Sequence, residues 1–159
     1  MTDSNVVEQS LQWKAAVLAG LISGAAFMML EMIMVPVFGG GSPWGPPRMI
    51  AAIAMGKGVL PPPATFDFGI LIAAMAVHFP LSIVFTLILA WIIARFEMGV
   101  AVLIGAGFGL ILYFVAFYGF TAIFPWFAMA RNWISIFSHI MFGVIAAAAY
   151  KQLAKPKFE

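Results

Sequence analysis

Residues Phe68–Ala94 read FGILIAAMAVHFPLSIVFTLILAWIIA, an apolar run that carries no formal charge. At about 1.5 Å per residue, a helix of this length crosses a bilayer hydrocarbon core, which is about 30 Å thick. A helix that is apolar on every side needs an apolar environment all around it. The run therefore predicts a transmembrane helix, and its one histidine, His78, predicts a polar partner within the membrane.

The whole chain has the composition of a polytopic membrane protein. Of its 159 residues, 64% are hydrophobic and 9% are charged. Apolar runs predict helices at about residues 15–38, 68–95, 100–123 and 132–150, so we expect an all-α, four-helix transmembrane bundle that forms a single domain. The chain has no cysteine, which excludes disulfides and thiolate metal sites, and its net charge of +2 gives no argument for nucleic-acid binding.

A long segment rich in glycine and proline, residues 39–67, separates the first two spans. It reads GGGSPWGPP at one end and LPPPATFD at the other. We expect a loop that forms an ordered lid over one end of the bundle. Arg48–Lys57 could form a short helix within it, and Asp67 or Thr65 is a plausible N-cap for the second span.

The basic residues predict the orientation of the bundle. Cytoplasmic segments of membrane proteins carry an excess of Lys and Arg. This bias favours a topology with both termini in the cytoplasm. The cytoplasmic side would then hold Lys14, Arg95, Lys151, Lys155 and Lys157, and the outer side Arg48, Lys57 and Arg131.

Aromatic and basic residues at the predicted outer border are typical of the lipid–water interface, where amphipathic rings and long cationic side chains are both stable. Arg48 could bind an anionic lipid head group, and Arg131 is interpreted as an interface anchor. The predicted interface set is Trp44, Arg48, Trp126, Arg131 and Trp133.

Each predicted span carries a stripe of small or polar residues at spacings of three and four. Small residues allow helix backbones to approach closely inside a membrane. We therefore expect these stripes to face the bundle interior. They are Gly20, Gly24, Phe27 and Glu31; Ala74, His78, Ser82 and Thr86; Gly105, Gly109, Tyr113 and Ala116; and Ser135, His139, Gly143 and Ala146.

The polar members of these stripes lie at similar depths. Counted from the outer helix ends, Glu31, His78, Tyr113 and His139 all fall roughly 10–15 Å below the outer surface. We therefore predict a polar network of these four residues. Its simplest role is structural, with hydrogen bonds that hold the helices in register.

Three functional interpretations of the network stay open. His78 and His139 could be the axial ligands of a b-type haem between two helices. Glu31, His78 and His139 could instead bind a transition metal as two imidazoles and one carboxylate. The third is a proton or quinone site, in which Glu31 takes up a proton and a histidine donates to a carbonyl group.

Four stretches of the chain carry a resemblance to a known family: SPWGPPRMIAAI (Ser42–Ile53), AVHFPLSI (Ala76–Ile83), FGLILYFVAFYGF (Phe108–Phe120) and FPWFAMARNWISIFSHIMFG (Phe124–Gly143). They resemble small, uncharacterised bacterial inner-membrane proteins, some of which are labelled sodium:proline symporter-like. The resemblance implies a bacterial inner-membrane location and brings no functional residues. Symporters of that kind have many more helices, broken at the membrane midplane.

No serine or threonine has the base and orienting partner that nucleophilic catalysis requires. The sequence thus favours a protein without catalytic activity of its own. We expect an accessory or structural subunit of a larger respiratory or oxidase membrane complex, in contact with lipid and with other subunits or further copies of itself. The alternatives are the haem or metal redox protein described above and an oligomeric transporter of protons or small solutes.

Overall fold

The computed structural model describes residues 11–154, which form helices and turns and contain no strand. A 3₁₀ turn, Lys57–Val59, follows the second helix, and the fourth continues as a π-helix, Val115–Gly119, and a 3₁₀ turn, Phe120–Ala122. A further 3₁₀ turn, Pro125–Ala130, precedes the last helix. The α-helices are α1 (Trp13–Gly39), α2 (Gly45–Met55), α3 (Phe68–Ile93), α4 (Met98–Phe114) and α5 (Trp133–Leu153).

Four helical segments are long and apolar enough to cross a membrane: α1, α3, α4 with its extension to Ala122, and α5. They coincide with the predicted spans to within a few residues, so the all-helical architecture with four helices able to cross a membrane is confirmed. The direction of insertion stays a prediction, and Lys155 and Lys157, on which it partly rests, lie outside the described residues.

Two of these helices begin at side-chain caps that the sequence makes recognisable. Asp67 Oδ1 accepts a hydrogen bond from the Ile70 amide at 2.9 Å, which confirms the predicted cap of α3. Asn132 Oδ1 accepts from the amides of Ile134 and Ser135 at 2.9 and 3.1 Å. Such caps satisfy amides that lack a partner in the first turn, and they fix where each span starts.

Residues 39–67 do not form one continuous loop, because α2 occupies 11 of them, close to where a short helix was predicted. Prolines at the start of α2 do not destabilise the helix, because the backbone N–H groups that they lack would have no hydrogen-bond partner in the first turn. The helix ends where Gly56 adopts a φ of +81°. It therefore starts and ends slightly earlier than the predicted segment Arg48–Lys57, and it packs against α3 as a lid.

Helix α1 lies at the centre of the bundle and packs against both α3 and α5, while α4 packs mainly against α5. The turn Ala94–Glu97 joins α3 to α4, yet these two helices contact each other only weakly. At the end formed by the start of α1 and the end of α5, alanines and Leu89 form a tight core. At the opposite end, which carries α2, the helices α3 and α4 diverge.

The predicted stripes do face the interior, because none of their residues is exposed. On α4 and α5 the stripes bring the backbones into contact. A Cβ atom added at Gly109 would collide with the carbonyl of His139, and Gly105 and Gly143 would each collide with the other's carbonyl. Between α1 and α3, a Cβ at Gly20 would lie 2.8 Å from the Cα of Ile83.

Candidate intramembrane binding site

A cavity of about 470 Å³ occupies the space between the diverging helices. Its walls come from α1, α3, α5 and the π-helix, and α2 together with the turn Pro125–Ala130 covers one end. The polar residues on the walls include Glu31, His78 and His139. Most of the lining is apolar, and among its phenylalanines are Phe27, Phe85, Phe117, Phe120, Phe127 and Phe142.

The π-helix contributes Val115, Ala116 and Phe117 to the cavity wall. A π turn is wider than an α turn and often occurs at functional sites. Arg131 holds this turn in place: its Nε donates to the Phe117 carbonyl at 2.7 Å, and its Nη2 donates to Thr121 Oγ1 at 3.1 Å. Its guanidinium also lies 4.3 Å from the ring centroid of Tyr118. Arg131, predicted as an interface anchor, therefore orders a wall of the cavity.

Hydrogen bonds hold the lid helix α2 to the turn Pro125–Ala130 on one side and to the loop that follows α2 on the other. Trp126 Nε1 donates to the Met49 carbonyl of α2 at 3.0 Å. Although an exposed belt position was expected, Trp126 is only 9% exposed, because its ring packs beneath α2. Arg48, predicted to bind lipid head groups, donates to the carbonyls of Val59 and Thr65 and ties the following loop to the lid.

The other two interface tryptophans have different surroundings. Trp133 is 55% exposed and packs edge-on against Phe38, with ring centroids 5.6 Å apart. Trp44 is half-buried and contacts the ring of Phe66 at 4.9 Å. Trp133 therefore fits the predicted aromatic border, whereas Trp44 belongs to the packing of the lid segment.

Glu31 is the most unusual residue of the cavity. It is 6% exposed and lines the cavity wall, and its Oε1 has no hydrogen-bond partner among the described residues. The hydroxyl of Ser138 lies beside it, and this fully buried group also lacks a partner there. Polar groups buried in membrane proteins normally pair with one another. The fully buried oxygen therefore points toward Ser138, and the rest of the Glu31 side chain borders the cavity.

Each histidine is oriented by one backbone carbonyl. His78 Nε2 lies 2.8 Å from the Gly24 carbonyl, and His139 Nδ1 lies 2.7 Å from the Ser135 carbonyl. A carbonyl oxygen can only accept, so the hydrogen of the neutral ring is on Nε2 in His78 and on Nδ1 in His139. A Cβ atom added at Gly24 would lie 2.7 Å from Ser82 Oγ, so this glycine allows the close approach of α3 to α1 at the level of His78.

The four predicted network residues lie in one region, but within residues 11–154 no hydrogen bond joins any two of them. Aromatic packing connects most of them instead. The ring of Phe27 stacks on His78 with centroids 5.6 Å apart and meets the edge of His139 at 4.8 Å. Tyr113 contacts His139 at 5.9 Å. Phe27 thus contacts both histidines, at the place where the sequence predicted hydrogen bonds between polar side chains.

This geometry bears on the haem and metal interpretations. Two axial imidazoles must face each other across a gap, whereas both of these rings pack on Phe27, and Nε2 of His78 already binds the Gly24 carbonyl. Among the described residues, no three His, Asp or Glu side chains lie together in a way that could hold a metal ion. Glu31, His78 and His139 therefore border one cavity without forming a ligand cluster.

Sequence reasoning missed several parts of the site. Ser138 lies next to His139 in the chain but off the predicted stripe, and its proximity to Glu31 follows only from the packing of α1 on α5. The aromatic run FPWFAMARNW was interpreted as a border segment. Its combination of Pro125 with closely spaced aromatic rings could have indicated an ordered cover, because such rings pack on one another.

The resemblance to small bacterial membrane proteins stays a prediction. No family model matches the chain, and comparison with the curated proteins and with the solved structures found no match.

Proposed function

We propose that this protein binds a small amphiphile within the membrane, with the polar group of the ligand at Glu31 and its apolar part along the phenylalanine walls. The observation that carries the proposal is a cavity inside the bundle, lined by phenylalanine rings and bordered by the buried side chains of Glu31 and His78. The cavity volume of about 470 Å³ falls in the range of small-molecule sites, about 300–1,000 Å³.

The route into the cavity supports a ligand that arrives from the bilayer. Leu81 on α3 and Val115 and Phe120 beyond α4 line the cavity and are also 40–42% exposed on the surface of the bundle. The cavity therefore reaches the surface beside Met129 of the turn Pro125–Ala130, which is 72% exposed, and also on the flank between α3 and the segment after α4. In a membrane that flank faces acyl chains, so a lipophilic molecule could enter without crossing water.

A binding experiment with a cavity-filling variant tests this proposal. The protein would be placed in lipid nanodiscs and titrated with radiolabelled amphiphiles that share a dodecyl tail and differ in head group. Ala116→Leu adds a bulky side chain to the cavity wall. Ala76→Leu adds the same side chain to the exposed face of α3 and serves as the matched control.

We expect saturable binding of at least one amphiphile, weakened about tenfold or more by Ala116→Leu and unchanged by Ala76→Leu. Binding that never saturates, or that both variants change equally, would contradict the proposal. Solvent extraction of the purified protein followed by mass spectrometry would identify the natural ligand.

The other functions considered from the sequence stay predictions. A subunit of a larger membrane complex could also carry such a cavity, and mild extraction followed by size analysis distinguishes a complex from a free chain. A Soret band would support haem. Proteoliposome flux that depends on Glu31 and His78 would support transport.

A further inference from the structure

We infer that the polar group of the ligand is a hydrogen-bond donor, the hydroxyl of a phenol or quinol, and not a carbonyl acceptor. This inference rests on the proposed binding function and names its ligand class. It reverses the expectation from the sequence, in which a histidine donates to a carbonyl group.

The first step is the direction of the histidine hydrogen bonds. Each neutral imidazole has one N–H, and that N–H is used on a backbone carbonyl, Gly24 for His78 and Ser135 for His139. The remaining nitrogens, Nδ1 of His78 and Nε2 of His139, carry lone pairs and can only accept. Neither nitrogen has a hydrogen-bond partner within residues 11–154, and both residues line the cavity.

The second step is the remaining polar lining near these rings. Glu31 accepts through both oxygens when it is ionised; when it is protonated, it accepts through one oxygen and donates from the other. The hydroxyl of Ser82 already donates to the His78 carbonyl at 2.9 Å. Ser135 can donate or accept and so does not discriminate. The side-chain amide of Asn132 can donate, but this residue is exposed at the rim. The interior polar set is therefore rich in acceptors.

The third step is the shape of the lining. Phenylalanine rings from α1, α3, α5 and the π-helix surround the polar groups, and flat rings pack well against such walls. A cavity of about 150 Å³ is sufficient for one benzene ring. The cavity of about 470 Å³ therefore accommodates a substituted ring and the start of an alkyl tail, which would leave between Leu81 and Phe120.

The test compares three probes in nanodiscs: 4-dodecylphenol, its methyl ether, and dodecyl-1,4-benzoquinone. The first two differ only in the donor hydrogen and a methyl group, and the third offers only acceptors. We expect the phenol to bind about tenfold more tightly than the ether or the quinone. Each of these two probes lacks the hydrogen that the phenol donates, and the loss of one hydrogen bond to a charged or buried acceptor has about this effect on affinity.

Each outcome has a distinct meaning. Equal binding of phenol and ether, or tighter binding of the quinone, would overturn the donor assignment and leave the proposed binding function intact. If none of the three probes, and no other dodecyl amphiphile, showed saturable binding, the proposed function itself would fail.

Variants test whether the acceptor side chains cause the preference for the phenol over the ether. Glu31→Leu and His139→Phe remove acceptors while they keep apolar bulk, and Glu97→Gln changes an exposed carboxyl in the α3–α4 turn as the control. We expect the first two to reduce the ratio of phenol to ether affinity to near one and the control to preserve it. An unchanged ratio in both acceptor variants, with unaltered elution and melting profiles, would overturn the inference.

Discussion

Opposite tautomers in two neighbouring histidines are a direct consequence of helix packing. The ring of His78 reaches across to α1, whereas the ring of His139 turns back onto its own helix, to the carbonyl one turn earlier. Because the two reach their carbonyls through different nitrogens, they present different lone pairs to the cavity. The position of the ring hydrogen thus decides which nitrogen of each ring can accept a hydrogen bond from a ligand.

Nitrogen-15 NMR of the protein labelled at histidine tests this arrangement, since the chain contains only two histidines. We expect one ring protonated at Nε2 and the other at Nδ1, because each N–H follows its carbonyl partner. His139→Phe should remove the Nδ1–H signals and leave those of His78. Identical tautomers for the two rings would contradict the hydrogen bonds described here.

Glu31 should reduce stability in the absence of ligand, because its buried oxygen lacks a partner. We expect Glu31→Leu to raise the free energy of unfolding by about 1–3 kcal/mol, the usual cost of an unsatisfied buried polar group. Thermal unfolding in detergent measures the change, with Glu97→Leu on the exposed turn as the control. Destabilisation by Glu31→Leu would show that the carboxyl group has a structural partner after all.

Helices α4 and α5 show how much of the packing is set by single glycines. Gly105, Gly109 and Gly143 lie where the two backbones touch, so any side chain there must push the helices apart. Gly107, on the same helix, has open space around it. The spacing pattern in the sequence identified the first three, because interior glycines recur at one face of a helix.

Substitution at these two kinds of glycine should have opposite effects. Gly143→Ala places a methyl group against the Gly105 carbonyl, and we expect a loss of about 1–3 kcal/mol, typical of overpacking. Gly107→Ala should be neutral or stabilise by up to about 1 kcal/mol through helix propensity. Unfolding by steric trapping or heat compares the two. Equal effects would argue against backbone contact between α4 and α5.

The spans, the Asp67 cap and the interior stripes could be predicted from the sequence because each depends on local chemistry and helical period. The lid helix was only partly anticipated, since Pro46 and Pro47 suggested a loop although prolines also open helices. The cavity could not be predicted, because it arises where α3 and α4 diverge. The depth of Glu31, His78 and His139 was predictable, but the role of Phe27 between them depends on tertiary packing.

The placement of the helix ends gives a simple test of the bundle and of its predicted orientation. The starts of α1 and α4 lie at one end of the bundle, and the lid lies at the other. The chain has no cysteine, so single cysteines introduced at Arg95 and Lys57 would be unique labels. In intact bacterial cells, we expect an impermeant maleimide to label Lys57→Cys and to reach Arg95→Cys only after the membrane is opened. The reverse pattern would invert the orientation, and labelling of both from outside would contradict the bundle.

The central position of α1 and the shared use of α5 have a consequence for biogenesis. Helices α3 and α4 leave the insertion machinery as consecutive segments, yet their main partners are α1 on one side and α5 on the other. Until α5 has been integrated, α4 therefore lacks the neighbour that covers its glycine face. The side of α1 that packs on α5 is also still in contact with lipid. The nascent protein must hold three spans in a loose state and complete its assembly only when the last one arrives.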